Sequence, residues 1–338
     1  MKRSLIAGLW LSLWISEAFA LDAAESSIQR YRTLAERASE QGEQVVEGRE
    51  GWLFFAPELR HLGVGRFWGE AAETASRATP VDARDPMPAI VDFHHALQEK
   101  GIQLILVPVP PKAVVEEQGL PGVEERSRER PDPYHQRFYQ ALRAEGVTVL
   151  DLTDAFRSAD EAEHGPLYCL QDTHWSGAGC VYAARHIAPK LEPFLGDNDA
   201  REFETDWRTV EISGDLWSML DDDALPREEV RVRVVEGAEP DRDSPVLLIG
   251  DSHTLVFHAG GDMHTRRAGL SDQLAAELGL PVDLIGVRGS GATPARINLF
   301  RRVRRDPDYW DGKTAVVWVF AAREFTESDG WRVVPIEP

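Results

Sequence analysis

The stretch Pro245-Val246-Leu247-Leu248-Ile249-Gly250-Asp251-Ser252-His253 runs from a short apolar segment directly into a Gly-Asp-Ser turn. An apolar run bounded by a turn signal is typical of a fully buried strand in a parallel sheet. Open α/β sheets bind their ligands at the carboxyl ends of such strands, so Ser252 is a candidate nucleophile whose own N–H faces the reaction. Gly250 is predicted to permit a sharp turn. A strand-to-turn junction without chemistry fits the same residues.

A second stretch, Gln171-Asp172-Thr173-His174-Trp175-Ser176, supplies the groups that a serine nucleophile requires. A serine hydroxyl becomes nucleophilic when a base takes its proton, and a histidine base needs an acid that fixes its tautomer. Residues i and i+2 share one face of a strand, and an aspartate in a turn reaches donors two residues on. Alone, Asp-x-His fits a surface turn or a metal pair equally well. With Ser252, it predicts a triad of Asp172, His174 and Ser252.

At these residues the chain resembles the periplasmic alginate O-acetyltransferase family, whose domain is an SGNH-hydrolase-like α/β fold. The stretches Gly51–Phe55, Val107–Lys112, Gly214–Leu216 and Val317–Glu324 agree with this resemblance, which covers roughly residues 45 to 335. It implies a three-layer α/β sandwich with a mostly parallel sheet. The order Asp, His, Ser implies a circularly permuted topology relative to ordinary SGNH hydrolases.

The organisation predicted for the chain is a signal peptide at residues 1–20 and one SGNH-hydrolase-like domain at 21–338. A chain of 338 residues is long enough to bury a large core as a single domain. Apolar runs alternate with helical patterns, which indicates βαβ units. Residues 201–244 are predicted to be an insertion, because two segments there alternate as in an antiparallel ribbon.

The N-terminal pattern is that of a secretory signal. Lys2-Arg3 precede the apolar run Leu5–Ile15, and Ala18-Phe19-Ala20 is a small-x-small cleavage site. The run is shorter than the roughly 20 residues that span a bilayer. We therefore predict export to the periplasm with cleavage, and an uncleaved inner-membrane anchor is the alternative.

The charge balance restricts the partners. The net charge of −20 is unsuited to nucleic acid, because phosphate binding needs a basic face. A polyanionic glycan would be repelled at long range and would need a local basic groove. One basic run is present, and it fits either contact with an acidic polymer or a solvated helix face; its members are Arg296, Arg301, Arg302, Arg304 and Arg305.

The two cysteines, Cys169 and Cys180, flank the Asp-Thr-His-Trp stretch. In an oxidising compartment an even pair predicts a disulfide, which here would brace the loop carrying Asp172 and His174. A pair of buried thiols is the alternative.

The oxyanion donors are predicted in the glycine-rich loop 286–293. It follows an apolar strand and precedes a helix, so its N–H groups can face an anion. SGNH enzymes complete the oxyanion hole with a Gly and an Asn, but neither Asn198 nor Asn298 stands in such a motif. We therefore assign the N–H group of Gly289 or Gly291, with Arg288 or Ser290 as further candidates.

Other candidate residues are interpreted without a catalytic role. Lys112 is expected to be a solvated side chain. The histidines His253, His258 and His264 could bind zinc, but no acidic or cysteine ligand accompanies them at helical spacing. We predict no metal ion and no cofactor.

The predicted function is two-step acetyl transfer through an acetyl-Ser252 intermediate, with His174 as base and Asp172 orienting it. The resemblance implies an exopolysaccharide acceptor, a membrane-bound protein that supplies the acetyl group, and other exopolysaccharide-export subunits as partners. A carbohydrate acetylesterase with the same triad is the first alternative, because the two differ only in whether water reaches the acyl-enzyme. An inactive glycan-binding subunit of a secretion complex is the second.

Overall fold

The computed structural model describes residues 25–159, 164–196, 200–222 and 224–338. The predicted signal peptide at residues 1–20 lies outside these ranges. Within them, no helix combines the length and the apolar character needed to cross a membrane.

Five strands form the central sheet, in the order β10-β7-β11-β3-β4, and every neighbouring pair is parallel. The remaining strands pair in three antiparallel two-stranded sheets, β1-β2, β5-β6 and β8-β9. The strands are β1 (Val45–Glu47), β2 (Leu53–Phe55), β3 (Gln103–Val109), β4 (Thr148–Val149), β5 (Thr205–Ile212), β6 (Glu228–Val235), β7 (Val246–Gly250), β8 (Ala259–Gly260), β9 (Met263–Arg266), β10 (Asp283–Gly286) and β11 (Ala315–Ala321).

Helices cover both faces of the central sheet. They are α1 (25–41), α2 (Ala56–Gly63), α3 (Ala72–Ala75), α4 (Pro86–Glu99), α5 (Lys112–Val115), α6 (Pro133–Ala144), α7 (Thr153–Ser158), α8 (Gly177–Leu191), α9 (Asp215–Leu220), α10 (Leu270–Leu278), α11 (Thr293–Arg305) and α12 (Glu324–Glu327). Short 3-10 turns lie at Gly69–Ala71, Val81–Ala83, Glu117–Gly119, Glu192–Phe194 and Ser252–Thr254.

Two hydrophobic cores lie on opposite faces of the sheet, because successive side chains of a strand point to opposite sides. Leu248 and Val317 pack with α8 and α10 in one core. Leu247 and Trp318 pack with α4, α6 and α11 in the other. Strand β7 is buried along its whole length, as the uninterrupted apolar run predicts. The predicted three-layer α/β fold is therefore confirmed.

Local sequence signals set two helix starts as expected. The Asp85 side chain accepts from Met87 N at 3.0 Å and caps α4, whose first residue is a proline. The Ser176 hydroxyl accepts from Gly179 N at 3.1 Å and caps α8. The second cap is important for the site, because α8 begins directly after the Asp-Thr-His-Trp stretch.

The predicted disulfide is wrong, because Cys169 and Cys180 are both buried free thiols in this structure. Backbone hydrogen bonds close the short loop instead: Cys169 N donates to His174 O at 3.2 Å, and Ser176 N donates to Leu167 O at 2.8 Å. The Cys169 sulfur faces the Trp175 carbonyl at 3.7 Å. Burial raises the pKa of each thiol well above its ordinary value, so both stay protonated.

The region 201–244 forms the predicted antiparallel ribbon, with β5 paired to β6 and α9 between them. Val232 and Val234 of the ribbon join the core beside α8. The ribbon is thus packed against the central domain, close to the helix that follows His174.

Candidate active site

Ser252 lies at the carboxyl edge of the parallel sheet, in the 3-10 turn that follows β7. Asp251 fixes this turn on two sides. One carboxylate oxygen accepts from His253 N at 2.9 Å, and the other accepts from Ala321 N at 2.7 Å. Because Ala321 ends β11, the turn that presents Ser252 is tied to the neighbouring strand.

Gly250 has a role different from the predicted one. It is the last residue of β7, and a Cβ there would lie 1.9 Å from Val319 O and 2.8 Å from the Thr254 methyl carbon. Glycine is therefore required because β11 passes close to this backbone, and not because the chain turns at this residue.

Polar side chains from two other parts of the chain hold the loop that carries Asp172. Lys112 Nζ donates to the carbonyl oxygens of Leu170 and Asp172, both at 2.9 Å. The Glu228 carboxylate accepts from the N–H groups of Leu170 and Gln171 at 2.8 and 2.9 Å. The expectation of a solvated Lys112 is wrong, because this residue is only 2% exposed.

The structure brings the three predicted catalytic residues together. His174 Nδ1 lies 2.5 Å from Asp172 Oδ1, and His174 Nε2 lies 2.7 Å from Ser252 Oγ. All three residues are buried, with 1%, 4% and 8% exposure for Asp172, His174 and Ser252. A proton can therefore move from the serine hydroxyl to an imidazole whose other nitrogen donates to a carboxylate.

The charges of this pair stabilise each other. Burial alone would lower the pKa of His174, but the charge and hydrogen bond of Asp172 more than offset it and raise the pKa above the ordinary 6.5. Burial alone would raise the pKa of Asp172, but His174 and His264 hold it well below its ordinary range. Asp172 is thus a carboxylate at neutral pH.

Asp215 and His264 complete the surroundings of Asp172, and the sequence interpretation gave neither a role in the site. Asp172 Oδ2 accepts from Asp215 N and from His264 Nε2, both at 3.0 Å. The Asp215 carboxylate in turn accepts from Thr173 N at 2.7 Å and from the Thr173 hydroxyl at 2.5 Å. The stretch Gly214–Leu216 was a signal for Asp215, since it was among those that resemble the family.

The three histidines that were considered as possible zinc ligands each lie beside a different carboxylate. His253 Nδ1 lies 3.1 Å from Asp251 Oδ1, and His258 Nδ1 lies 2.9 Å from Asp272 Oδ2. His264 contacts Asp172 as described above. Each ring therefore has its own acidic partner, and the three do not converge on one point.

Asp172, His174 and Asp215 offer ligand atoms that lie within 4.8 Å of one another, which is the donor set of a cation site. However, His174 Nδ1 and Asp172 Oδ1 are at hydrogen-bond distance, so in this arrangement a proton lies between them. In the arrangement described, these atoms therefore take part in hydrogen bonds.

Arg323 is a further residue of the site that sequence reasoning missed. Its Nη1 atom is buried without a hydrogen-bond partner among the described residues, and it lies 3.8 Å from Glu58 Oε2. Burial disfavours the cation, but Glu58 and Asp251 more than offset this and raise the pKa of Arg323. The site thus contains a buried cation with an unused donor near the turn of Ser252.

The predicted oxyanion residues lie in different environments. Gly291 is buried, and a Cβ there would lie 2.7 Å from Asp251 N, so its backbone packs on the serine turn. Gly289 is exposed, with φ at +90°. Arg288 is exposed and pairs with Asp262 at 2.5 Å. The N–H of Ser252 has no hydrogen-bond partner in the described part of the chain.

The fold and these residues define an α/β protein of SGNH-hydrolase type with a serine, a histidine and an aspartate at the carboxyl edge of its sheet. A family model described as an SGNH hydrolase-like domain, acetyltransferase AlgX, matches residues 45–322. The chain therefore belongs to this acetyltransferase family, and the predicted resemblance is confirmed. No curated protein matches the chain.

Solved structures share the fold. The O-acetyltransferase domain of Pseudomonas putida AlgJ has 22% identity and a TM-score of 0.60, over 83% of this chain and 92% of that one. Pseudomonas aeruginosa AlgX has 17% identity and a TM-score of 0.59, over 84% of this chain and 66% of that one. Bacillus cereus PatB1 has 11% identity and a TM-score of 0.50, over 84% of this chain and 98% of that one.

Proposed function

We propose that the protein is a periplasmic O-acetyltransferase that transfers acetyl groups to hydroxyls of an alginate-like exopolysaccharide. One observation carries this proposal: the hydrogen-bond chain from Asp172 through His174 to Ser252, in a member of an acetyltransferase family. The domain extends from residue 21 to 338, with 201–244 inserted, after a cleaved signal peptide.

In the first step, Ser252 Oγ attacks the acetyl carbonyl carbon of the donor as His174 Nε2 takes the hydroxyl proton. The bond between the acetyl group and the donor breaks, and the proton on His174 passes to the leaving group. In the second step a sugar hydroxyl gives its proton to His174 and attacks the acetyl-serine. The acetyl group moves to the sugar, and Ser252 recovers its proton.

The negative oxygen that develops in both steps needs donors that are already in place. The N–H of Ser252 is free for this role among the described residues, and the loop containing Gly289 and Gly291 adjoins the turn through Gly291. We assign the oxyanion site to these N–H groups. Arg288, which pairs with Asp262, is the weakest of the predicted candidates.

The acetyl donor in this proposal is a membrane-bound protein, and other exopolysaccharide-export subunits are partners. This part rests on the family resemblance.

The test is turnover of a chromogenic acetyl ester by the full protein, with and without an oligosaccharide. We expect acetylated oligosaccharide, and we expect Ser252→Ala to lower turnover at least about a thousandfold, because triad members act as a unit. Ser158→Ala, at an exposed helix position, is the matched control. Near-normal turnover by Ser252→Ala would remove the assignment of the nucleophile.

Two outcomes would favour the alternatives. Release of free acetate that is unchanged by added oligosaccharide would identify an esterase, since water would then be the acceptor. No adduct on Ser252 with a serine-directed covalent probe would favour an inactive glycan-binding subunit.

A further inference from the structure

A basic cleft follows the open edge of the central sheet. It has a volume of about 610 Å³ and is lined by backbone of β10 and by one face of α11. Its wall contains four arginines and one aspartate, in a chain whose net charge is −20. The lining side chains of α11 are at helical spacing, which places them on one face; they are Asn298, Arg301, Arg302 and Arg305.

Two of the four arginines already have carboxylate partners. Arg302 pairs with Asp283 at 2.5 Å, and Arg242 pairs with Asp306 at 2.9 Å. Of the other two, Arg301 donates only to the side chain of Asn298, and Arg305 has no side-chain partner within the described ranges. Both are exposed. Their guanidinium groups are thus available to an incoming anion. The two residues are four positions apart on the helix, a rise of about 6 Å.

The cleft leads towards Ser252. Strand β10 is the edge strand of the sheet, and its outer side is unpaired among the residues that the structure describes. Its last residue, Gly286, lines the cleft and pairs with Gly250, two residues before Ser252. The arginines lie towards the other end of the strand. That end is about 10 Å from Gly286, at 3.3 Å per residue. A ligand that contacts both the arginines and Ser252 must therefore be extended.

We propose that this cleft binds an acidic polysaccharide along the open edge of β10, with Arg301 and Arg305 pairing with carboxylates of successive sugars. Guanidinium groups bind carboxylates bidentately, which gives register as well as affinity. The inference rests on the proposed function, because it adds the binding path of the acceptor to the acetyl-transfer site. It also explains how so acidic a protein holds a polyanion.

The experiment measures binding of an oligouronate to the full protein and to Arg301→Glu, Arg305→Glu and Arg304→Glu. Arg304 lies on the same helix end and is exposed, but it does not line the cleft, so it carries the same charge change and the same effect on the helix dipole. We expect about tenfold weaker binding for the two cleft variants, by the typical size of a charge-assisted pair. We expect less than about twofold for Arg304→Glu, and loss of the difference at high salt.

Three results would overturn the proposal that this cleft binds an acidic polysaccharide. Equal weakening by Arg304→Glu would mean a general effect of charge. Equal affinity for a neutral oligosaccharide would mean that carboxylates are not recognised. Tighter binding of a DNA oligonucleotide, with the same dependence on Arg301 and Arg305, would mean a phosphate site. Ester turnover by the unmodified protein reports the proposed function separately, so failure of one inference is distinguishable from failure of the other.

Discussion

Asp172 is the residue on which the site depends most. It accepts four hydrogen bonds, from His174 Nδ1, His174 N, Asp215 N and His264 Nε2. Such a carboxylate stays ionised while buried, because each donor compensates for lost water. Its charge in turn keeps the pKa of His174 above 6.5, against the effect of burial.

We predict that turnover rises with pH through a midpoint above pH 6.5, because His174 must be neutral to accept the proton of Ser252. His253 is not responsible for this limb, since burial lowers its pKa to about 4. Asp172→Asn removes the charge that favours protonated His174, so the limb should move to lower pH while the maximal rate falls about a hundredfold or more. The pH profile of ester turnover measures both effects. An unmoved limb in Asp172→Asn would contradict the assigned pairing.

At this scale the sequence was sufficient to predict that Asp172, His174 and Ser252 lie together, because an i, i+2 pair and the end of an apolar strand are local patterns. The contacts of Arg323 and His264 in the site could not be predicted from the sequence. Their contacts depend on where β11 and the β8–β9 hairpin pack, which no local pattern encodes.

At the scale of elements, the ribbon β5–β6 matters because α9 lies within it. The N–H and the carboxylate of Asp215 in α9 contact Asp172 and Thr173. This contact is tight: a Cβ at Gly214 would lie 2.0 Å from Gln171 O and 3.0 Å from Asp172 N. The ribbon therefore orients the acid of the candidate triad.

We predict that Gly214→Ala lowers turnover at least about tenfold, because the added methyl group separates α9 from the Asp172 loop, and displacements near 1 Å cost up to about a hundredfold. Ester turnover and melting temperature are measured together. Gly237→Ala is the control, since this residue follows β6, has φ at +73° and meets no atom within 4 Å. It should lose about 1 kcal/mol of stability through backbone strain and keep its turnover. Normal turnover by Gly214→Ala would contradict the orienting role.

At the scale of the whole molecule, a buried histidine pair joins α2, α6 and α12. His61 Nε2 lies 2.8 Å from His135 Nε2, and His61 Nδ1 lies 2.8 Å from Thr326 Oγ1. Burial lowers the pKa of His61 well below 6.5 and that of His135 to about 3. As the pH falls below 6.5, the unfolded chain therefore begins to protonate both rings while the folded protein still keeps them neutral.

We predict that the contribution of this histidine pair to the free energy of unfolding falls as pH decreases from about 6.5 towards 4, because the unfolded chain then binds protons that the folded pair does not bind. Each histidine contributes up to about 1.4 kcal/mol per pH unit. Asp132 and Glu324 contribute in the opposite direction, because burial raises their pKa values to about 6 and about 7. His135→Phe should reduce the slope by about one proton, whereas His95→Gln, at an exposed position, should not. Urea denaturation across this range measures the slopes, and equal slopes for His135→Phe and the wild type would contradict the prediction.

Much of the architecture was predictable from the sequence, because buried parallel strands such as β7 and β11 appear as uninterrupted apolar runs. The absence of a disulfide was not predictable. The parity and spacing of Cys169 and Cys180 carry no information on the backbone hydrogen bonds that already close their loop. The role of Gly250 was also misjudged, since the crowding by Val319 comes from a strand about 70 residues further along the chain.

Asp172 and His174 share one loop, whereas Ser252 lies in the turn that follows β7. If the loop of Asp172 and His174 moved away from the turn of Ser252, the distance between His174 and Ser252 would increase. The contact between Asp172 and His174 would stay intact. His174 would then keep its contact with Asp172, but it could no longer take the proton of Ser252. In the proposed mechanism, the contact between His174 and Ser252 is therefore the one whose separation would stop turnover while the base stays in place.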